Sequence, residues 1–319
     1  MDHIVLIMGG AGFIGSNITE RFVHAGWDVK VIDGLLENTG GRKNNLQRVI
    51  PQIEFIDSRI EDVDGLGGLI DKCDLIIDCM AWTAHHLALE NPEYDLALNV
   101  NSHLELIKNL KHYPGKRIIY LGSRGQYGNP DLAEINEETP MTPEDIQGVH
   151  KLTAESYFRI YSKFYKFHAI SLRFGNCFGE NQPVQGDDIG LVGSFIREVL
   201  AGREIVVYGS GRRRPLIYVR DLAEIILKLS QRSFSGFSAY NVNGWDILIQ
   251  DVAKTIIEIL GKGSFSLKEI PDHVRKIDVG SAAFNCSKIA KLIGDLPLTS
   301  LQTALKDTTD YFRTQLTST

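Results

Sequence analysis

Three glycines near the amino terminus have the spacing of a loop that binds phosphate groups. Gly9, Gly12 and Gly15 form a G-x-x-G-x-x-G pattern, with Phe13 and Ile14 between the last two. In such loops the glycines permit a tight turn, a close approach of the backbone to a pyrophosphate, and close packing of the next helix on a strand. The pattern predicts that these five residues hold a dinucleotide. An ordinary strand-to-helix turn is the alternative.

A carboxylate follows this loop at a distance that suits a contact with ribose. Asp33 lies 18 residues after Gly15, at the end of the next apolar run. A carboxylate at this point accepts hydrogen bonds from the ribose hydroxyls and repels a 2′-phosphate, so it favours NAD over NADP. Arg42 and Lys43 are near enough in sequence to keep NADP as an alternative. A turn-forming aspartate before Gly34 is another.

The elements that must position these residues alternate between short β-branched runs and amphipathic segments of helical length. The β-branched runs at 4–7 and 29–32 flank a segment in which Ile14, Ile18 and Phe22 recur at helical spacing. Further strands are predicted at 53–55, 75–77, 117–121 and 169–173, with helices at about 93–110 and 150–165. This alternation is typical of an α/β fold with a doubly wound parallel sheet.

After about residue 174 the pattern loosens. A helix is predicted near 192–201, a strand at 205–208 and a terminal helix at 300–312. We expect residues 1–174 to form an NAD-binding Rossmann domain and residues 175–319 to form mainly a smaller substrate-binding lobe, with an approximate boundary that the chain can cross again. Such a lobe would cover the carboxyl ends of the strands, where open α/β sheets bind ligands.

Composition narrows the class of protein. The 319 residues are 43% hydrophobic and 23% charged, with a net charge of −6, which fits a globular protein and disfavours a nucleic-acid partner. No apolar stretch reaches the roughly 20 residues of a membrane-spanning helix, and the run at 4–8 reads as a buried strand instead of a signal peptide. The four cysteines form no CxxC motif. We therefore expect a cytoplasmic protein with no membrane partner.

A series of different short motifs extends along almost the whole chain. Besides the glycine loop, they are Met80-Ala81, Asn99-Val100, LGSRGQYG at 121–128, Lys151 with Glu155, LRFGN at 172–176, Phe178-Gly179, YGSG at 208–211, RPLIYVRD at 214–221 and YNV at 240–242. With these motifs the chain resembles the extended short-chain dehydrogenase/reductase family of nucleotide-sugar epimerases and dehydratases. The resemblance implies NAD as cofactor, a nucleotide-diphosphate sugar as substrate and a homodimer.

The resemblance also implies a catalytic serine, a lysine, and a tyrosine four residues before the lysine that acts as acid and base. Ser123 matches the serine and Lys151 the lysine, but the residue four before Lys151 is Gln147. A nearby ammonium lowers the pKa of a phenol towards neutrality, whereas a carboxamide cannot exchange a proton at neutral pH. The usual active-site motif is therefore incomplete in this chain.

Three interpretations of the missing tyrosine stay open. Tyr127 or His150 takes the proton-transfer role; the chemistry needs no phenolate; or the protein binds cofactor and sugar nucleotide without turnover. Neighbouring helix positions point about 100° apart, so His150 can face away from the nicotinamide beside Lys151. We favour an epimerase-like enzyme that acts by transient hydride transfer at a sugar hydroxyl, with an atypical acid/base.

Other residues are assigned by the same resemblance. The cofactor site would include Arg59 and Ile60 near the adenine, where similar proteins carry an aspartate and an apolar residue, together with Met80, Ala81 and Asn99. The substrate site would include Ser123, Asn176, Arg214 and Arg275, since the planar fork of arginine bonds phosphate oxygens in pairs. The run at 212–214 could instead be a solvated charge cluster.

The absence of carboxylates after Ser123 and of further metal ligands near His85 narrows the class of reaction that the sequence predicts. Residues 124–126 offer none of the carboxylates that dehydratase-like and decarboxylating relatives place there, which favours epimerase-like or ketoreductase-like chemistry; a dehydratase stays an alternative. The adjacent pair His85-His86 lacks a further ligand at metal-binding spacing, so we expect no metal site.

A dimer interface is predicted on two helices. The segments at 99–112 and 150–165 resemble the helices that pair in dimers of this family. Each carries apolar residues at helical spacing: Val100, Leu104 and Ile107 on the first, and Leu152, Phe158, Tyr161 and Phe164 on the second. These residues could instead face only the chain's own sheet.

Overall fold

The computed structural model describes residues 3–186, 189–271 and 281–317. Its strands, numbered along the chain, are β1 (Ile4–Met8), β2 (Asp28–Asp33), β3 (Ile53–Asp57), β4 (Leu75–Asp78), β5 (Arg117–Leu121), β6 (Glu134–Ile135), β7 (His168–Phe174), β8 (Asn176–Phe178), β9 (Ile205–Tyr208), β10 (Arg213–Tyr218), β11 (Phe237–Val242), β12 (Trp245–Leu248), β13 (Phe265–Lys268) and β14 (Ala283–Phe284).

The α-helices of the described residues are α1 (Phe13–His24), α2 (Leu66–Lys72), α3 (His85–Glu90), α4 (Pro92–Leu96), α5 (Ser102–Leu110), α6 (Ile146–Tyr165), α7 (Gly190–Leu200), α8 (Val219–Ser230), α9 (Ile249–Leu260), α10 (Ser287–Ile293) and α11 (Leu301–Thr317). A π-helical turn, Ala97–Asn101, joins α4 to α5. No described helix combines the length and apolarity that crossing a membrane requires.

A seven-stranded sheet lies at the centre, in the order β11-β7-β5-β4-β1-β2-β3, with every neighbouring pair parallel. Alternate residues of β1 serve opposite cores: Val5 and Ile7 pack with α1 and α8, while Leu6 and Met8 pack with α2, α5 and α6. Because both faces are covered, the central strands β1 and β4 consist almost entirely of apolar residues. The predicted doubly wound α/β fold is confirmed.

The strand order reverses between β1 and β4, so a crevice opens beyond their carboxyl ends. The glycine loop follows β1 and the Met80-Ala81 pair follows β4. A methyl group built on Gly9 would lie 3.1 Å from the backbone of Cys79. The two loops thus meet where such sheets bind their ligands.

A second apolar core lies in the carboxyl-terminal part of the chain. It includes residues of α7, α9 and α11, such as Ile196, Ile256 and Phe312, near a small sheet in the order β12-β10-β8. The chain also returns to the central sheet, since α8 packs on α1 and β11 forms the sheet edge. The division into domains at residue 174 stays a prediction; α8 and β11 lie beyond it in sequence but pack with the first part.

Helix α6 and the predicted helix at 93–110 differ from the expectations drawn from the sequence. Helix α6 begins at Ile146, four residues before the predicted start, because the Asp145 side chain caps it by accepting a hydrogen bond from Gly148 N. The predicted helix at 93–110 contains the π-helical turn, which places the Asn99 side chain against both backbone polar groups of Trp82.

Candidate active site

A cavity of about 770 Å³ lies against the carboxyl ends of the central strands. Its wall includes the glycine loop after β1, Asp33 at the end of β2, Met80 and Ala81 after β4, and Ser123 after β5. Lys151 on α6 also lines it. The cavity therefore joins most of the residues that the sequence assigns to a dinucleotide and to a reacting hydroxyl.

The glycine loop has the shape that a pyrophosphate requires. Gly9 has φ +70°, which suits glycine, and a methyl group on Gly15 would lie 2.1 Å from Gly9 O. Helix α1 starts directly after Gly12, whose backbone is extended, and no side chain among the described residues caps it. The partial positive charge of this helix end thus points to the cavity, and the loop fits a dinucleotide.

Asp33 is buried and already ordered by the backbone. Its Oδ2 accepts a hydrogen bond from Ala11 N at 2.8 Å and its Oδ1 accepts one from Leu35 N at 2.9 Å. Burial raises its pKa, against the effect of these hydrogen bonds. Lys43, a candidate partner for a 2′-phosphate, forms an ion pair with Asp57 at 2.7 Å and lies over the Phe55 ring.

The predicted adenine and loop contacts divide into two groups. Arg59, Ile60, Met80 and Ala81 line the cavity, and Arg59 pairs with Glu61 at 3.4 Å. Asn99 lies outside the cavity. Its amide accepts from Trp82 N at 3.0 Å and donates to Trp82 O at 2.9 Å, so the structure supports a positioning role for Asn99 instead of the predicted cofactor contact.

Ser123, Gln147 and Lys151 come together on one wall of the cavity. Ser123 Oγ accepts a hydrogen bond from Gly125 N at 3.0 Å. Lys151 Nζ donates to Leu121 O at 3.1 Å and Met80 O at 3.4 Å, and burial lowers its pKa to about 8. Gln147 is buried and donates through Nε2 to Trp82 O at 3.0 Å.

Tyr127 lies outside this cavity, fully buried. Its hydroxyl donates to Asn241 Oδ1 at 2.7 Å and accepts from Arg173 Nη1 at 2.7 Å. Burial raises its pKa, although the contact with Arg173 opposes this. A phenol that is enclosed and bonded in this way does not suit proton transfer in the cavity, so the geometry corrects that part of the sequence interpretation.

His150 also points away from the cavity, as its place beside Lys151 on a helix allows. Its Nδ1 lies 2.5 Å from Asp95 Oδ1, and its side chain is only 13% exposed. This pair joins α6 to α4. The second sequence candidate for the missing acid/base is therefore a buried contact between helices.

A buried network that sequence reasoning missed holds the Ser123 turn. Glu155 Oε2 accepts from Arg173 Nε at 3.0 Å, Ser171 Oγ at 2.6 Å and Gln126 Nε2 at 2.8 Å. The other end of the Gln126 amide accepts from Ser123 N at 2.8 Å. Glu155 appeared in the sequence only as part of a motif, but here it fixes the backbone of the candidate serine.

His85 and Asp145 form a second arrangement that sequence reasoning missed. His85 Nδ1 lies 2.7 Å from Asp145 Oδ2, and both residues line the cavity. In the sequence, His85 is visible only as half of the pair His85-His86, for which no metal site is expected. Two signals could have found the pair: His85 follows a strand at the ligand-binding edge of the sheet, and Asp145 has the residue type of a helix cap.

The predicted sugar-nucleotide contacts are placed in part. Asn176 lines the cavity. Arg214 lies in β10 and is not among the described residues that line the cavity; its Nη1 donates to Arg213 O at 2.9 Å, and its contact with the sugar nucleotide stays a prediction. Arg275 lies outside the described residues. Gln182, Leu191 and Val192 line the cavity from the second core, and sequence reasoning missed them.

Comparisons with known proteins bear on this geometry. A sequence profile described as NAD dependent epimerase/dehydratase family matches residues 5–243. A putative UDP-glucose 4-epimerase of Methanocaldococcus jannaschii is 32% identical over 225 residues, which are 69% of this chain and 71% of that protein. The structure of UDP-glucose 4-epimerase from Thermotoga maritima with UDP-glucose has a TM-score of 0.85 at 25% identity, covering 98% of this chain and 99% of that one. The UDP-glucose 4-epimerase of Thermus thermophilus in complex with NAD has a TM-score of 0.83 at 26% identity, covering 97% and 99%.

Proposed function

The chain belongs to the NAD dependent epimerase/dehydratase family, and from that premise we propose that it is an epimerase-like enzyme acting on a nucleotide-diphosphate sugar, with an acid/base other than the usual tyrosine. One observation carries the proposal. A single cavity joins the glycine loop, Asp33 and Lys151, which suit NAD, to Ser123, which suits a sugar hydroxyl. A surface that only bound a dinucleotide would have no need of the second group.

The residues of the chain have separate tasks in this proposal. Gly9, Gly12 and Gly15 admit the pyrophosphate, Asp33 bonds the ribose near the adenine, and Lys151 holds the ribose near the nicotinamide. NAD, when bound, supplies a reversible acceptor for a hydride from a sugar carbon. Ser123 orients the reacting hydroxyl, and its turn is fixed by Gln126 and the buried Glu155.

In this proposal Gln147, four residues before Lys151, stands where the resemblance places the family's tyrosine, and it lines the same cavity as Ser123. Its amide cannot take a proton at neutral pH, so another group must do so if the sugar is oxidised. A protein that binds both ligands without turnover is the second candidate, favoured by this same substitution. We favour an enzyme over a binding protein without turnover because Ser123 and Lys151 both line the cavity.

The neighbours of Ser123 favour epimerase-like chemistry over dehydration. Arg124 is buried, and its Nη1 donates to Gly128 O at 3.2 Å, where a dehydratase needs a carboxylate to move protons at other carbons. The similarity to UDP-glucose 4-epimerases supports the same choice.

A ligand screen tests the proposed substrate class. UDP-, GDP-, CDP- and dTDP-glucose, each with NAD, would be added to the protein and the melting temperature measured. A ligand at a hundred times its dissociation constant stabilises the folded state by about 2.7 kcal/mol, so at least one of the four should raise the melting temperature clearly. The protein with NAD alone is the reference. No shift with any of the four would contradict nucleotide-sugar binding.

Cofactor choice gives a first prediction. The protein should bind NAD more tightly than NADP, because Asp33 bonds a ribose hydroxyl and repels a phosphate. Asp33→Asn keeps the shape but removes the charge, and should reduce the ratio of NAD to NADP affinity by about tenfold or more. Asp28→Asn, at the opposite, exposed end of the same strand, is the matched control. Calorimetric titration measures both affinities, and equal affinities in the wild type would refute the assignment of Asp33.

Assembly gives a second prediction. We propose a homodimer formed through α6, although Val100, Ile107 and Phe158 of the predicted stripes are buried in the chain's own core. The outer face of α6 instead exposes Val149, Ile160 and Phe164 at spacings of eleven and four residues, with Phe164 72% exposed.

Sedimentation velocity at micromolar concentration should show a dimer for the wild type and a monomer for Phe164→Glu, because a charge in an apolar interface is left unpaired. Leu298→Glu is the control, since Leu298 is also an exposed apolar residue but lies between α10 and α11. A wild-type monomer would refute the dimer.

A further inference from the structure

Two side chains from distant parts of the chain meet on the cavity wall. His85 starts α3 and Asp145 caps α6, and His85 Nδ1 lies 2.7 Å from Asp145 Oδ2. The His85 side chain is 54% exposed, whereas that of Asp145 is 11% exposed, and both line the cavity. The imidazole therefore stands where a ligand can reach it, with the carboxylate enclosed behind it.

Asp145 is fixed by its other oxygen. Oδ1 accepts a hydrogen bond from Gly148 N at 2.6 Å at the start of α6. Burial opposes ionisation of this carboxyl, but the hydrogen bond and charge of His85 lower its pKa. Since His85 Nδ1 lies 2.7 Å from Asp145 Oδ2, we assign the proton of the neutral form of His85 to Nδ1, and in that form Nε2 is the nitrogen that takes a proton.

The dyad is next to the turn that carries Ser123. The first turn of α6 packs closely on that turn, since a methyl group built on Gly148 would lie 2.6 Å from Gly125 O. Gly125 N in turn donates to Ser123 Oγ. Gln147, between Asp145 and Gly148 in the chain, lines the same cavity. His85 and Gln147 thus line the same cavity from different elements.

We infer that His85 is the catalytic acid/base of this site and that Asp145 is its positioning residue. This inference rests on the proposed function. In the forward step Nε2 forms an N–H bond as the O–H bond of the sugar carbinol breaks, and the electron pair left on oxygen completes the C=O bond. NAD, when bound, would accept the hydride of the carbinol carbon and with it the two electrons that the sugar loses. The return step reverses each transfer, and His85 gives back the proton.

The arrangement gives Asp145 two separable effects. It orients the ring and fixes the tautomer through Oδ2, and it caps the helix through Oδ1. Asp145→Asn keeps a helix-capping oxygen, but it can place an amide N–H against Nδ1, which then must accept; Nε2 becomes the protonated nitrogen and cannot take a proton. This variant therefore separates proton transfer from folding.

The test compares substitutions of similar size in the full-length protein with NAD and whichever of UDP-, GDP-, CDP- or dTDP-glucose the wild type converts. His85→Gln should lower kcat by about 10²–10⁴-fold, the usual loss on removing a general acid/base. The dissociation constants of NAD and of the sugar nucleotide, measured by calorimetry, should stay unchanged. Added imidazole should restore part of the rate of His85→Ala. Asp145→Asn should lower kcat while the melting temperature stays near that of the wild type.

His112→Gln, on an exposed residue beyond α5, is the control for the substitution itself. His150→Gln and His86→Gln test the rival histidines, since His86 also lines the cavity. A kcat of His85→Gln within twofold of the wild type, or a large loss confined to His86→Gln or His150→Gln, would overturn the inference while leaving the proposed function in place. If the wild type binds NAD and sugar nucleotide without turnover, the inference about His85 and the proposed function are both wrong. Wild-type turnover with the predicted losses in the variants would support both the inference and the proposed function.

Discussion

Replacing Glu155 with alanine should lower the free energy of unfolding by about 3–5 kcal/mol, the usual cost of breaking a buried ion pair by removing one partner. Glu155 and Arg173 are both almost fully buried, with Glu155 Oε1 2.5 Å from Arg173 Nη2. Alanine would leave the guanidinium charge in the core beside the uncharged Tyr127 hydroxyl. It would also release Gln126 and Ser171, which both donate to Glu155.

Guanidinium chloride denaturation followed by circular dichroism measures this effect. Lys108→Ala is the matched control: it also removes one partner of an ion pair, with Glu105 at 2.9 Å, but the Lys108 side chain is exposed. That change should cost less than about 0.5 kcal/mol. A Glu155→Ala loss as small as that of the control would mean that the network contributes little to the fold.

The same carboxylate should give the stability a dependence on acid. Burial raises the pKa of Glu155, but the hydrogen bonds from Arg173, Ser171 and Gln126 and the charge of Arg173 outweigh it, so the pKa lies below its ordinary value of 4.5. A lowered folded-state pKa contributes stability above the unfolded value, and this is lost as the pH falls through the folded value. The difference in unfolding free energy between wild type and Glu155→Gln should therefore be full above about pH 4.5 and shrink below it.

The central sheet could be predicted because its signals are local. Each of β1, β2, β3, β4, β5 and β7 contains a short run rich in apolar, often β-branched residues next to a helical pattern, as covered parallel strands require. Strand β11, with the sequence FSAYNV, mixes polar and apolar residues, and its place beside β7 depends on pairing with residues almost 70 positions earlier. The pattern of a single segment does not contain that information.

The residues of the candidate site likewise fall into two groups: those that a local motif identifies and those whose position depends on contacts with distant parts of the chain. The glycine loop is a contiguous motif whose steric demands are visible in the sequence, and the structure places it as expected. The direction of Tyr127 and His150 depends on partners far away in the chain, Asn241 and Asp95. The pairing of His85 with Asp145 spans 60 residues. Sequence reasoning predicts that Gln147 replaces the usual tyrosine, but no local pattern contains the pairing of His85 with Asp145.

Introducing the family's residue by Gln147→Tyr should lower turnover by about 10–100-fold if acid/base work has moved to another residue, since a sugar shifted from Ser123 reacts more slowly. Gln147 is 6% exposed and its amide donates to Trp82 O at 3.0 Å, so a larger ring must displace its neighbours or enter the cavity. Overpacking of this kind costs about 1–3 kcal/mol. NAD affinity should change little, because the glycine loop and Asp33 are untouched.

Gln147→Phe is the matched control, because it adds the same ring without a hydroxyl. If the site has been rebuilt around another acid/base, both variants should be slower than the wild type to a similar degree. If the site has merely lost its tyrosine, the activities of the two variants should differ. A phenol beside Lys151 gains a lowered pKa, so Gln147→Tyr would reduce bound NAD in the presence of a nucleotide sugar. Gln147→Phe would not. Reduction of NAD, followed by the absorbance of the reduced nicotinamide, by the tyrosine variant and not by the wild type would show that the native site has lapsed.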